Sequence, residues 1–145
     1  MRFVEDRYVG DTAEDLAEYL RQRGADGHPV HEVRHSVCQA CGADVFGLEG
    51  NLMDSTVVRR TCRACGHQQY IGDSNEYWFD EQVFTSCCPC EEEDFNVAVG
   101  FSLYQGGEPG IRSLATAERC LACGTIGTLA EWMVRTGDMT LLDRA

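Results

Sequence analysis

The sequence predicts a mainly β chain of α+β class: an N-terminal helix, then two small antiparallel β units, each built round four cysteines. Three observations carry that expectation. Helical spacing of apolar residues marks one stretch near the N-terminus. Later apolar runs are rich in Val, Thr and aromatics and in part alternate, as half-buried strands do. Eight of the nine cysteines fall into four C-x-x-C pairs, Cys38/Cys41, Cys62/Cys65, Cys87/Cys90 and Cys120/Cys123, leaving Cys88 over.

The helix is expected over about Thr12 to Arg23. Asp11 stands at the N-cap with Glu14 three residues on, in the manner of a capping box. Ala13, Leu16, Ala17 and Leu20 follow i, i+3, i+4, i+7 spacing and form an apolar stripe for core packing. Arg21 and Arg23 suit the negative end of the helix dipole, and Gly24 suits the stop. A turn at GADGHP leads into a strand over Val30 to Val37, whose His31, Val33, His35 and Val37 would share one face. His28, His31 and His35 read as solvated or hydrogen-bonded residues rather than a further metal site. These elements form an N-terminal region, residues 1–37.

The remainder divides into a first cysteine unit at 38–72, an acidic aromatic linker at 73–86, a second cysteine unit at 87–135 and a C-terminal tail at 136–145. The units correspond beyond their cysteines. Phe46 lies five residues after Cys41, and Phe95 five after Cys90. Arg60 and Arg119 each precede a second pair, and acids (Asp73, Glu131) lie eight residues past each last cysteine. The pattern suggests a duplication.

No secretory pattern opens MRFVEDRYVGD, and no run approaches the roughly 18 apolar residues of a membrane span. The expected compartment is therefore the reducing cytoplasm, with no membrane partner. There, regular C-x-x-C pairs read as metal ligands before disulfides. The spacers between pairs hold 20 and 29 residues. A C-x-x-C turn holds two sulfurs on one side of a tight loop, and two facing turns complete a tetrahedron. Glycine follows three of the pairs, as Gly42, Gly66 and Gly124. Cys87 and Cys90 keep the spacing of the other pairs, so they are the expected ligands; a C-x-C site through Cys88 is the alternative.

Paired C-x-x-C knuckles joined by strand-like spacers such as STVVRRT and FNVAVGFSLY resemble zinc ribbons, over about Cys38 to Trp132. The resemblance implies two structural Zn2+ ions, each held by four thiolates: Cys38, Cys41, Cys62 and Cys65, and Cys87, Cys90, Cys120 and Cys123. A rubredoxin-like iron centre uses the same four-sulfur geometry, so iron and electron transfer form the second reading. A thioredoxin-type dithiol would occur once, in a βαβ setting. A hydrolytic zinc site keeps a position open for water, and the H-x-E with P-C-x-x-C of zinc deaminases is missing. The expectation is a protein without catalytic residues.

The formal net charge is −12, and all twelve basic residues are Arg. Eight thiolates and two divalent cations would take it to −16. Between Arg63 and Arg112 there is neither Arg nor Lys, while nine acids fall there. Nucleic-acid binding needs the opposite balance; Arg59, Arg60 and Arg63 form the only basic cluster and make a nucleic-acid-associated ribbon the third reading. An acidic protein attracts basic surfaces instead. The expected role is a zinc-binding scaffold acting by protein–protein contact with a basic partner, of the inhibitor, immunity or adaptor kind. Tyr77, Trp78, Phe79 and Phe84 in the linker would fill the seam between the units or form a docking patch.

Overall fold

The computed structural model describes residues 1–25, 27–135 and 137–145. Asp26, in the turn expected at GADGHP, and Thr136, first residue of the expected tail, lie outside the described residues. Among the described residues the architecture is one antiparallel sheet of eleven strands with a single α-helix. The strands are β1 (Arg2–Val4), β2 (Arg7–Val9), β3 (Glu32–His35), β4 (Phe46–Asn51), β5 (Val58–Cys62), β6 (Gln68–Tyr70), β7 (Val83–Thr85), β8 (Phe95–Leu103), β9 (Ile111–Cys120), β10 (Thr125–Gly127) and β11 (Glu131–Met133). The helix α1 spans Asp15–Gly24.

The spine is the hairpin β8–β9, which runs in register from Phe95↔Cys120 to Ser102↔Ser113 before a bulge at Ser102/Leu103. Both faces of β8 are buried, and its alternation explains why. Phe95, Val97, Val99 and Phe101 join Phe46, Leu48, Val58, Ile71, Ile111, Leu114 and Trp132 in the main core. The opposite face carries small residues, where Leu16, Tyr19 and Leu20 of α1 pack on Ala98, Ala115, Ala117 and Ile126. A Cβ at Gly100 would stand 3.1 Å from the Val30 methyls and 3.3 Å from Leu20 Cδ2. The close seating of the helix on the sheet thus depends on the missing side chain.

Of the apolar stripe expected for the helix, Leu16 and Leu20 are buried, joined by Tyr19; Ala17 is half-buried, and Ala13 lies ahead of the helix. Its N-terminus differs from expectation. The N-cap is Glu14, without a side-chain hydrogen bond, and the Asp15 carboxylate accepts from Asp11 N (2.8 Å) and Thr12 N (3.4 Å). The first turn is closed by i→i+3 bonds such as Leu16 N to Ala13 O, so the carboxylate that reaches back sits one residue later than Glu14. The hairpin β1–β2 was hidden by its charges. Glu5 and Asp6 at its tip have φ of 49° and 62°, the pair of positive values that a two-residue type I′ hairpin requires.

The two cysteine units are continuous with one another. In the first, Phe46 of β4 pairs with Cys62 of β5; in the second, Phe95 of β8 pairs with Cys120 of β9; and Phe46 pairs with Phe95 where β4 meets β8. Each strand ahead of a first knuckle adds to the other unit: His35 of β3 pairs with Ala98 of β8, and Thr85 of β7 with Glu49 of β4. These are corresponding positions, three residues before the knuckle cysteine and three after the phenylalanine.

The acidic aromatic segment 73–86 is therefore part of the sheet through β7, preceded by two short 3-10 turns. Asp73 is buried and accepts from Trp132 Nε1 at 3.0 Å, joining the segment to the second unit. Its counterpart by sequence, Glu131, is exposed and pairs with Arg23. Within the stretch placed as a tail, Met139–Arg144 forms a 3-10 helix whose Leu141 enters the main core together with Ala145.

Candidate metal centres

Each site is built at the ends of strands. In the first knuckle Cys38 N donates to Ala43 O (2.8 Å) and Gly42 N to Cys38 O (2.8 Å). In the knuckle after β5, Cys62 N donates to His67 O and Gly66 N to Cys62 O, both at 2.9 Å. Gly42, Gly66 and Gly124 have φ of 80°, 80° and 75°, the left-handed conformation that glycine adopts without a Cβ clash. This is the physical reason for the glycine after three of the four pairs.

The sulfurs of Cys38, Cys41, Cys62 and Cys65 lie within 4.8 Å of one another. Across the site Cys38 and Cys65 are 3.6 Å apart, and Cys41 and Cys62 3.5 Å. The second set is Cys88, Cys90, Cys120 and Cys123, also within 4.8 Å, with Cys88–Cys123 at 3.6 Å and Cys90–Cys120 at 3.5 Å. A disulfide would bring sulfurs to about 2.05 Å, and all nine cysteines are free. A tetrahedral ion at about 2.3 Å from each sulfur needs edges of about 3.8 Å. Both quartets fit such an ion.

One member of the quartets differs from the spacing-based expectation. Cys87 stands outside the second quartet, exposed, its Sγ donating to Cys88 O at 3.3 Å, and Cys88 takes its place. The incoming strand decides this. Ser86 N donates to Leu48 O (2.8 Å) as Ser36 N donates to Val97 O (2.9 Å). From there strand alternation sends the next residue outward and the one after it inward. Val37 is half exposed and Cys38 buried; Cys87 is exposed and Cys88 buried. The signal was present in the sequence as Ser-x-Cys, at Ser36 to Cys38 and Ser86 to Cys88. The knuckle is one residue tighter in consequence: Glu91 N donates to Cys88 O and Cys88 N to Glu92 O, both at 2.8 Å. Glu91 adopts φ of 77° where the other knuckles use glycine.

Four thiols this close cannot all ionise by themselves. The backbone N–H of Cys65, helped by that of Ala64, pulls Cys62 down to about 6. Burial, with the neighbouring sulfurs, pushes Cys88 up to about 12. A cation at the centre lets all four sulfurs give up their protons, so binding and deprotonation go together. With every position taken by sulfur, the ion would brace the sheet: Cys62 ends β5 and Cys120 ends β9. The all-sulfur donor set suits Zn2+ and iron alike.

The arginines near the first site are internally engaged. Arg59 grips Glu49 with Nη2 at 2.8 Å and Nε at 3.2 Å, and lies over the Trp78 ring at 4.7 Å. Arg63 Nε meets Asp94 at 2.7 Å. Arg60 is 1% exposed; it donates to Ala145 O (3.0 Å) and Val37 O (3.3 Å) and lies 4.5 Å from the centroid of Phe46. Its Nη1 has no hydrogen-bond partner among the described residues. Burial pulls its pKa down, while thiolates at Cys38 and Cys62 favour its charge.

His31 Nδ1 accepts from Leu103 N at 3.0 Å, and His35 lies 3.9 Å from Glu14. Tyr77 is covered by Arg135 at 4.1 Å, Trp78 meets Tyr70 edge-on at 5.3 Å, and Phe79 is 52% exposed. Among the described residues, no helix is long and apolar enough to cross a membrane. No family model, no curated protein and no solved structure matches this chain.

Proposed function

We propose that the chain is a non-catalytic scaffold with two structural zinc ions, derived from a duplicated ribbon unit and acting by contact with a basic protein partner. The carrying observation is the pair of closed four-sulfur quartets set at the ends of the central strands. Such sites supply folding free energy and leave no coordination position for a substrate. The partner class follows from charge and exposure together. Leu52, Met53 and Phe79 are 72%, 68% and 52% exposed. Met53 and Phe79 line a shallow groove with Trp78, Asp80, Glu81 and Gln82, all but Met53 within the stretch between Arg63 and Arg112 that has neither Arg nor Lys. An apolar side chain flanked by Arg or Lys would fit it.

Two measurements test the reading. Metal analysis of protein purified without added metal should find two zinc ions per chain; a red, redox-active iron preparation would replace this reading with electron transfer. Cross-linking in native extract should trap a basic protein at Met53 or Phe79, and Met53→Asp with Phe79→Asp should abolish the link while leaving two zinc ions bound. Cross-links unaffected by that double change would remove the groove from the reading.

A further inference from the structure

One side of the β7 backbone is without a partner. The strand pairs only with β4, and Ser86 N donates to Leu48 O while Leu52 N donates to Gln82 O, both at 2.8 Å. In an antiparallel ladder such bonds fall on every second residue, so Phe84, midway between Gln82 and Ser86, also faces β4. Val83 and Thr85 therefore turn their N–H and C=O groups outward, where no backbone group of the described residues meets them. Thr85 is exposed and Val83 half-buried. Sheet edges are ordinarily guarded by Lys, Pro, a bulge or a covering segment. The sequence Val-Phe-Thr has neither Lys nor Pro, and its register with β4 runs without a bulge. Charge of one sign stands at both ends of this edge. Asp80 and Glu81 come just before it, and Glu91 and Glu93 lie in the knuckle after it; all four are exposed. Among the described residues none of the four is in an ion pair.

We infer that the free edge of β7 takes up an extended basic segment of the partner as a further strand of the sheet. The inference deepens the scaffold reading and rests on its basic partner. Val83 and Thr85 offer two donors and two acceptors to the incoming backbone, the mode of recognition in which main-chain bonds hold the ligand. The acids at either end of the edge meet its Arg or Lys side chains. The groove of Met53 and Phe79 continues the track, since Phe79 to Gln82 run directly into Val83; it takes an apolar side chain beyond the paired residues. A second copy of this chain is a poor occupant, because pairing two such edges would set the acids of one against those of the other.

The probe is the peptide Arg-Val-Arg-Val-Arg, blocked at both ends and added at low ionic strength to the full, metal-loaded chain. Its control is the same peptide with every backbone nitrogen methylated, which keeps side chains and charge but loses every strand donor. Fluorescence anisotropy reads binding, and NMR reads amide exchange. The control should bind at least about tenfold more weakly. Saturation with the unmodified peptide should slow exchange of the Val83 and Thr85 amides by about tenfold or more. Thr85→Pro removes an outward N–H without breaking a bond to β4, and should weaken the unmodified peptide by about tenfold with both metal ions still bound. The comparison of the two peptides on the unaltered chain stands whether or not that variant folds. Equal binding of both peptides, with the two amides unprotected, would overturn strand addition and leave the basic partner standing. Binding of neither peptide would overturn the basic-partner reading and this inference with it. Protection of the same amides in the protein alone, with a dimer in sedimentation, would assign the edge to a second copy and overturn the inference likewise.

Discussion

Cys87 and Cys88 differ by one position along the chain, and that single step decides which thiol joins the quartet. The backbone bond from Ser86 to Leu48 fixes the alternation before the knuckle begins. Cys88→Ser should therefore cost one metal ion per chain, while Cys87→Ser should leave both; inductively coupled plasma analysis of the purified variants reads this directly. Seven of the eight cysteines that gather into the two quartets could be read from C-x-x-C spacing, because a tight turn needs a fixed number of residues. The eighth could not, because its choice depends on a hydrogen bond to a strand of the other unit. A second residue-scale prediction concerns Glu49. Burial opposes its ionisation, but the hydrogen bonds from Arg59 and Thr61 hold its pKa below the ordinary 4.5. A carboxylate with a depressed folded pKa stabilises above its unfolded value, and that contribution is lost as pH falls through the folded one. Glu49→Gln should destabilise by about 1 kcal/mol near neutrality, with the gap from wild type closing as pH drops below about 4.5. Urea unfolding at several pH values checks it, and a gap that widens in acid would refute the pairing.

At the scale of elements, local pattern was a good guide wherever the element is held by its own residues. The helix stripe, the strand over FNVAVGFSLY and the glycine-closed knuckles are of this kind. The pattern was silent where the partner is remote. The β1–β2 hairpin shows charges outward and is held through β10, and β7 is a three-residue strand marked in the sequence only by a mixed VFT. The knuckle at Cys88 shows how an element tolerates a poor local choice. A left-handed φ costs a non-glycine residue roughly 1–2 kcal/mol, and Glu91 carries that cost where its counterparts are Gly42, Gly66 and Gly124. Glu91→Gly should raise the stability of the metal-loaded protein by about 0.5–1 kcal/mol, the relief being partly offset by the freer unfolded chain. Denaturant titration in buffered zinc measures it; a loss of stability would mean that the Glu91 side chain supports the turn in a way its backbone does not reveal.

For the whole molecule, the exchange of strands between units matters more than their likeness. The segment ahead of each quartet is hydrogen-bonded to the strand that opens the other: β3 to β8, and β7 to β4. The two cores are likewise one, since Phe46, Leu48 and Val58 share a buried cluster with Phe95, Val97 and Trp132. Independent zinc units would unfold one at a time. Here, loss of the first quartet frees β4 and β5, and with them the support of β7 and of the inner face of β8. Cys38→Ser should therefore lower protection against amide hydrogen exchange in β9 as well as in β5, in a single cooperative step, although β9 contributes no ligand to the damaged site. Hydrogen-exchange mass spectrometry of peptides covering Val58–Cys62 and Ile111–Cys120 tests this. If β9 kept wild-type protection while β5 exchanged freely, the sheet would be two folding units that merely touch, and the crossed pairing would carry little of the stability.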